Sequence, residues 1–233
     1  MKYMSKAILL ALALSIAGVP LAHAGGAGDE WESLNQEVVE FLRTGKYDDS
    51  ATLVAQKALQ LAEQNAGIDH PDVATSLNNL ASLYDAKGDY AKAESLYNRS
   101  LAILEKALGS DHPYVATGLN NLAKLYRNQG DYAKAEPLLK RSLAIREKAL
   151  GVNHPDVAMS LNDLASFYNT QGNYAKAEPL YNRALAIFEK ALSPDHPDVA
   201  TSLDNLAVLY RKTKREAEAE PLEQRAAKIL AIK

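Results

Sequence analysis

The sequence predicts an all-α solenoid built from stacked helix pairs. The stretch HPDVATSLNNLASLY, which begins at His70, returns in closely similar form at His112, His154 and His196, so the repeat length is 42 residues. The units that begin at His70 and His112 are identical at 30 of their 42 positions. Because a unit of this length cannot bury its apolar face alone, the copies are expected to stack and share a continuous core.

The first half of each unit carries the apolar pattern of an amphipathic helix. In the unit that begins at His70, the apolar side consists of Val73, Leu77, Leu80, Ala81 and Tyr84. This spacing places the five side chains on one side of a helix. Pro71 is tolerated in a first helical turn, and either Asp69 or His70 can cap the free backbone N–H groups of that turn.

A tight turn separates this first helix from a second helix in each unit. The turn sequences are Lys87-Gly88-Asp89, Gln129-Gly130-Asp131 and Gln171-Gly172-Asn173. Glycine accepts the left-handed conformation that ends a helix, and the following Asp or Asn is a favourable cap for the next one. Three second helices contain a proline beyond their first turn, at Pro137, Pro179 and Pro221. The apolar spacing continues past each proline, so we expect a kinked first turn and a continuing helix.

These residues resemble the tetratricopeptide repeat, whose pattern is W-x2-L-G-x2-Y, then A-x3-F, then P. In the unit at His70 the corresponding residues are Leu77, Leu80, Ala81, Tyr84, Ala93 and Tyr97. The 42-residue unit, with HPDVATSLNNLA in its first half, is similar to the kinesin light chain type of this family. The resemblance implies a right-handed superhelical solenoid of antiparallel helix pairs, in which the first helices line a concave groove.

The predicted domain organisation follows the repeat. It comprises a signal peptide at 1–24, a short linker at 25–30, a divergent helix pair at 31–69, repeats at 70–111, 112–153 and 154–195, and a capping repeat at 196–233, with 31–233 as one solenoid domain. The end units depart from the pattern, as capping units should. Glu37 takes the place that Leu80 holds in its unit, and Lys214 replaces the turn glycine.

The first 24 residues have the layout of a secretory signal peptide. Lys2 and Lys6 precede the apolar run AILLALALSIAGV, and Ala22 and Ala24 match an A-x-A cleavage site. The run of 13 residues is short for a bilayer span; the alternatives are an uncleaved anchor and an ordinary hydrophobic N-terminus. Cleavage would give an exported protein that is not inserted into the membrane afterwards. In a bacterium, the expected location is the periplasm. The chain has no cysteine, so its stability would depend on packing without disulfides.

The composition excludes several kinds of site. A formal net charge of −3 gives no basic face for nucleic acid. Each repeated histidine directly precedes a proline, and no second ligand type lies beside it at metal spacing, so we expect neither a metal nor a cofactor. The sequence has no Gly-rich phosphate loop, no G-x-S-x-G and no H-E-x-x-H, so we predict no catalytic residue and no enzymatic activity.

The polar side of the first helices supplies the candidate peptide-binding residues. They are Thr75, Asn78, Ser82, Asp85, Thr117, Asn120, Lys124, Arg127, Asn162, Ser166, Asn169, Asp204 and Arg211. An amide carries a donor and acceptors, which match a peptide unit without selecting a side chain. We therefore expect Asn120 and Asn162 to serve the ligand groove rather than the fold. The alternative is that the asparagines bond neighbouring helices and fix the repeat geometry.

The predicted function is protein or peptide binding by an exported adaptor or scaffold. Its partner would be a protein or an extended peptide segment held in the groove of the first helices. Two other functions remain open at this stage. One is a structural component of the cell envelope that associates with copies of itself, and the other is a subunit of an enzyme complex.

Overall fold

The computed structural model describes residues 27–231, which form ten α-helices and no β-strand. In chain order these are α1 (Ala27–Thr44), α2 (Asp49–Ala66), α3 (Pro71–Lys87), α4 (Tyr90–Leu108), α5 (Pro113–Asn128), α6 (Tyr132–Leu150), α7 (Pro155–Thr170), α8 (Tyr174–Ala191), α9 (Pro197–Lys212) and α10 (Glu216–Ala231). Odd-numbered helices are the first helices of their pairs and even-numbered helices the second. Each first helix packs against the second helix of its own pair.

The described chain divides into two compact units, one ending at Ser110 and the other beginning at Asp111. Unit 1 contains α1 to α4, and unit 2 contains α5 to α10. The division falls within one residue of the boundary predicted between the repeats at 70–111 and 112–153. Inside each unit, a second helix also packs against the first helix of the following pair, as α2 does with α3 and α8 with α9.

A histidine caps the start of each first helix from α3 onward. His70 Nδ1 accepts a hydrogen bond of 3.2 Å from the backbone N–H of Asp72. His112, His154 and His196 form the same bond at 3.2, 3.1 and 3.2 Å. The proline that follows has no N–H to satisfy, so it fits the first helical position. The repeated His-Pro dipeptide is therefore a helix-start signal, and the capping residue is the histidine rather than Asp69.

The turns between paired helices follow the glycine pattern in three repeats. Gly88, Gly130 and Gly172 have φ angles of +79°, +79° and +73°, in the left-handed region. The side chains of Asp89 and Asp131 cap α4 and α6 as predicted. Asn173 precedes α8 without a side-chain cap hydrogen bond, which the sequence did not indicate. Pro137, Pro179 and Pro221 lie inside α6, α8 and α10, and the helices continue through them as expected.

Apolar side chains from neighbouring helices form the core of each unit. In unit 1, Val38 and Leu42 of α1 pack with Leu80 and Leu83 of α3 and with alanines of α2. In unit 2, one such cluster lies among α7 to α10 and includes Leu161, Phe188 and Leu203, which are at most 2% exposed. The repeated apolar pattern therefore marks the buried side of each helix, as predicted.

The two end pairs depart from the repeat where a neighbour is missing from the described chain. Leu80 packs against the preceding helix pair, whereas the described residues contain no pair before α1. Glu37, in the corresponding place, is exposed. At the other end, Lys214 stands where earlier turns have glycine and adopts a φ of +59°. A side chain with a Cβ is strained in this left-handed region.

The predicted signal peptide and the start of the linker lie outside the described residues. Among residues 27–231, no helix combines the length and hydrophobicity needed to cross a bilayer.

Candidate peptide-binding surface

Three first helices of unit 2 place the candidate residues on a common polar row. The polar row consists of Thr117, Asn120, Lys124 and Arg127 of α5, Asn162, Ser166 and Asn169 of α7, and Asp204 and Arg211 of α9. Side chains three, four or seven positions apart share one side of a helix. Because α5 contacts α7 and α7 contacts α9, the three sets follow one another across unit 2.

The candidates of unit 1 are mostly buried. Thr75, Asn78 and Ser82 are at most 8% exposed, and Asp85 is half-buried. The Thr75 hydroxyl donates to the carbonyl oxygen of Pro71, and the Ser82 hydroxyl is 2.9 Å from the hydroxyl of Tyr97. The polar atoms of Thr75 and Ser82 are thus bonded within α3 and α4. The geometry places Thr75, Asn78 and Ser82 inside the fold rather than on an open surface.

Asn35 joins the first helices of unit 1 by hydrogen bonds. Its Oδ1 accepts a bond of 3.0 Å from Asn79 Nδ2 and a longer one of 3.4 Å from the Ser76 hydroxyl. The hydroxyl of Ser76 also accepts a bond of 2.9 Å from Trp31 Nε1. Asn35, Ser76 and Asn79 are all buried, so these bonds satisfy polar groups that water does not reach freely.

Asn120 and Asn162 join the first helices of unit 2 in the same manner. Asn120 Nδ2 donates to Asp163 Oδ2 at 2.8 Å, which links α5 to α7. Asn162 Nδ2 donates to the Ser202 hydroxyl at 2.9 Å, which links α7 to α9. The nitrogen of each amide therefore serves the fold, contrary to the expectation that these two residues belong to the groove alone. The physical reason is that a first helix lies directly against the next one.

The oxygen of each of these two amides is left without a partner. Asn120 Oδ1 and Asn162 Oδ1 are inaccessible to solvent, and no donor from residues 27–231 reaches either of them. A buried acceptor without a donor costs about 1–3 kcal/mol. The two oxygens occupy equivalent places in successive repeats, so the unpaired acceptor is a repeated feature of unit 2.

A buried arginine lies beneath the start of the polar row. Arg146 of α6 is 7% exposed. Its Nη2 donates to the Thr117 hydroxyl at 3.0 Å, and its Nη1 donates to the Ser160 hydroxyl at 2.7 Å. The guanidinium thus bridges α5 and α7. Other units carry Leu104 or Phe188 at the corresponding position, so the stacking itself does not require a cation there.

The carboxylate of Asp163 is the acidic counterpart of this arginine. Burial raises the pKa of Asp163, while the charges of Arg146, Arg127 and Lys124 act in the opposite direction. Burial likewise lowers the pKa of Arg146, against the attraction of Asp163 and of Asp156. The two charges partly compensate one another inside unit 2.

The remaining charges of the polar row differ in how they are balanced. Arg211 of α9 forms a two-pronged ion pair with Glu223, with N–O distances of 3.0 and 2.6 Å. Lys124 is engaged in an interaction within the chain. Arg127 is half-buried and Asp204 is exposed, and neither forms a hydrogen bond or ion pair with any residue in 27–231. Burial and the nearby Glu223 raise the pKa of Asp204.

Ser166 and Asn169 border a buried phenol in the middle of the polar row. Burial raises the pKa of Tyr181, and hydrogen bonding with Asn169 and Ser166 offsets part of that rise. Asn169 Oδ1 is also 3.5 Å from the ammonium nitrogen of Lys212 on α9. These contacts place Ser166 and Asn169 between α7 and its neighbours.

Sequence reasoning did not identify Asn35, Arg146 and Asp163. Two of them could have been found by comparing the repeats with one another. Arg146 replaces an apolar residue, and Asp163 replaces the asparagine found at Asn79 and Asn121. Each change looks minor alone, but both fall on the junction of α5 and α7. The part of the chain that the structure describes contains no group of three His, Cys, Asp or Glu side chains arranged to hold a metal.

A family model described as tetratricopeptide repeat matches the chain four times, at residues 39–106, 86–148, 114–190 and 156–231. The chain belongs to the tetratricopeptide repeat family. Proteins of this family generally mediate protein–protein interactions and scaffolding, and most are adaptors without catalytic activity. No protein with a curated description matches the sequence of this tetratricopeptide repeat chain.

Solved structures confirm the all-α tetratricopeptide repeat solenoid fold that the sequence predicts. A putative kinesin light chain from Podosopora anserina with nearly identical TPR-like repeats is 26% identical, with a TM-score of 0.69, and the match covers 89% of this chain and 97% of that one. BtubC (BKLC) from P. vanneervenii is 22% identical, with a TM-score of 0.63 and coverage of 88% and 91%. Pseudomonas aeruginosa pilF is 19% identical, with a TM-score of 0.60 and coverage of 87% and 78%. The last two similarities concern the fold alone.

Proposed function

We propose that this protein is an exported adaptor that binds an extended segment of a partner protein along the polar row of unit 2. The observation that carries the proposal is the pair of amide oxygens at Asn120 and Asn162, which lack donors in successive repeats. A ligand could reach these oxygens only after each amide rotates and its nitrogen releases Asp163 or Ser202. Backbone N–H groups of an extended segment would then supply the missing donors, and its carbonyl oxygens would accept from the released nitrogens.

The charge of Arg127 supports the same surface. Arg127 lies on α5 beside Asn120 and Lys124, half-buried and without an ion-pair partner in the described chain. A partly desolvated cation attracts an anionic group more strongly than a fully exposed one does. A bound segment with an acidic side chain near Arg127 would therefore gain both affinity and orientation.

Export is the second part of the proposal, and it is supported by the amino-acid pattern of residues 1–24. Cleavage after the small residues Ala22 and Ala24 would give a mature chain that begins at Gly25. The intact mass of the protein recovered from the periplasm of its host tests this directly. A mass that retains the AILLALAL run would instead indicate an anchored protein.

Self-association is a second candidate, favoured by one observation at the end of unit 2. Leu230 of α10 is 53% exposed, whereas Leu104 and Phe188 at the corresponding positions are at most 5% exposed. An apolar side chain of this kind could pack against another copy of the chain. The mass of the purified mature protein in solution, measured over a range of concentrations, separates this candidate from a monomeric adaptor.

The direct test of partner binding starts with a cross-linked pull-down from the native cell envelope, followed by titration of the captured partner. Arg127→Glu should weaken binding or change its salt dependence, because it reverses a charge on the polar row. Lys190→Glu is the matched control, since it makes the same charge change on an exposed position of α8. Equal affinities for both variants and for the unmodified protein would exclude the polar row as the binding surface.

A further inference from the structure

Two opposite charges of the polar row have no direct partner in the described chain, and they lie on its first and last helices. Arg127 is on α5 and Asp204 is on α9, and neither is hydrogen-bonded or ion-paired within residues 27–231. Arg211 does not change this balance, because Glu223 neutralises it through two contacts.

The middle of the polar row is close to neutral. On α7 the polar row itself contributes the uncharged residues Asn162, Ser166 and Asn169. The charge of Asp163 is opposed mainly by buried Arg146, which bridges α5 and α7 through Thr117 and Ser160, and to a smaller extent by Arg127 and Lys124. A ligand lying across the three helices would therefore meet a cation at one end, amides and hydroxyls in the middle, and a carboxylate at the other end.

We infer that the bound segment carries an acidic side chain opposite Arg127 and a basic side chain opposite Asp204. This inference rests on the proposed function and specifies the chemistry of its ligand. Neighbouring helices pack about 8–10 Å apart, and Asp204 lies about 10 Å along α9 from Arg211, the counterpart of Arg127, so the two charges are about 20 Å apart. An extended chain advances about 3.3 Å per residue, so the two charged side chains should be about six residues apart.

Five synthetic peptides of 12 residues test the charge pattern. Each has a Gly/Ser sequence with blocked ends, and positions 4 and 10 carry Asp/Lys, Lys/Asp, Asp/Asp, Lys/Lys or Ser/Ser. Binding to the mature protein is followed by NMR shifts of its backbone amides at low salt. We expect at least one of the two mixed-charge peptides to bind about three- to tenfold more tightly than the others, and the difference should shrink at high salt.

Charge reversal at each end provides the decisive comparison. Arg127→Glu should shift the preference to the Lys/Lys peptide, and Asp204→Lys should shift it to the Asp/Asp peptide. The double variant Arg127→Glu/Asp204→Lys should again prefer a mixed-charge peptide. Circular dichroism melts establish that each variant is folded before it is titrated.

Two outcomes would overturn the inference. If the single variants keep the preference of the unmodified protein, Arg127 and Asp204 do not contact the ligand. If the charged peptides bind no better than the Ser/Ser peptide, the charge pattern plays no part. In that second case, shifts confined to α5, α7 and α9 would leave the proposed function standing, whereas shifts elsewhere or none at all would remove it as well.

Discussion

Asn120 serves the fold through its nitrogen and leaves its oxygen unpaired, so a single side chain connects structure with proposed binding. Asn120→Ala would remove the donor of the 2.8 Å hydrogen bond to Asp163 Oδ2. We expect the free energy of unfolding to fall by about 1 kcal/mol, because a carboxylate left without its donor costs more than the removal of the unpaired neutral Oδ1 returns. Asn182→Ala, on an exposed position of α8, should change it by no more than about 0.5 kcal/mol. Chemical denaturation of both variants measures the difference, and equal effects would contradict the structural role.

The raised pKa of Asp163 makes a prediction about pH. Because burial raises this pKa in the folded state, the group favours folding below its unfolded pKa of about 3.9 and loses that contribution as pH rises through the folded value. Asp163→Asn removes the titration but keeps an acceptor for Asn120. The stability of the variant relative to the unmodified protein should therefore increase between pH 4 and pH 7. Urea unfolding at several pH values tests this, and a constant difference would mean that Asp163 titrates normally.

Lys214 bears a backbone strain that glycine would relieve. Lys214 takes the place that Gly88, Gly130 and Gly172 hold in the earlier turns, and its φ is +59°. Lys214→Gly should stabilise the protein by about 1 kcal/mol, because glycine has no Cβ to clash in this conformation. Lys214→Ala keeps the Cβ and serves as the control, with little change expected. Thermal melts of the two variants test this prediction. If alanine raises the stability as much as glycine does, the lysine side chain rather than the backbone conformation is unfavourable.

At the scale of single residues, the sequence identified helix caps better than hydrogen-bond partners. Gly88 acts through the backbone next to it, so a local pattern sufficed to predict its role, and for the start of α3 the pattern reduced the candidate caps to Asp69 and His70. Asn120 meets Asp163 across 43 positions of sequence. Which polar side of α5 faces α7 and which faces solvent depends on how the helices pack, and one helix pattern does not contain that information.

At the scale of elements, side-chain ladders of two kinds connect the helix pairs within each unit. Amides link the first helices, as described for Asn35, Asn120 and Asn162. Ion pairs link successive second helices, namely Glu63 with Arg99, Glu147 with Arg183, and Glu189 with Arg225. Exposed ion pairs contribute only about 0–1 kcal/mol each, so the apolar clusters supply most of the stability and the ladders align the helices.

Helix α9 carries a similar aliphatic residue on its buried side and on its exposed side, so the two sides can be compared by mutation. Leu203 is fully buried in the cluster of α7 to α10, whereas Val208 is 38% exposed on the side of the polar row. Leu203→Ala should lower the free energy of unfolding by about 2–5 kcal/mol. Val208→Ala should lower it by about 0.5 kcal/mol or less. Urea denaturation of the two variants provides the values, and a reversed order would mean that α9 is rotated relative to this description.

The helices themselves were predictable because each one follows from residues close together in sequence and because the same pattern returns in several repeats. The spacing of Leu77, Leu80 and Tyr84 indicated a helix in one copy, and its return in later copies indicated stacking. The continuation of α6 through Pro137 was also expected from the apolar spacing beyond it. The absent side-chain cap at Asn173 was not, because an asparagine is usually as good a cap as the aspartates in the other turns.

At the scale of the whole molecule, the chain combines near-identical repeats with a few concentrated departures from them. Departures at Glu37 and Lys214 lie in the end pairs, where a neighbour is missing from the described chain. Those at Arg146 and Asp163 lie within unit 2, beside the polar row. A buried charge pair is weak evidence for added stability, because apolar residues fill the same place in other repeats. We therefore associate this second group with binding.

The central claim is that a partner protein occupies the polar row of unit 2, and site-specific photo-cross-linking in the native host tests it most directly. The photoreactive residue p-benzoylphenylalanine replaces Val208 in one variant and Ala186, an exposed residue of α8, in the control. We predict that the Val208 variant cross-links to a defined segment of another protein, identified by mass spectrometry, and that the Ala186 variant does not. Cross-links from Val208 only to another copy of the chain, or the same partners from both positions, would contradict the claim.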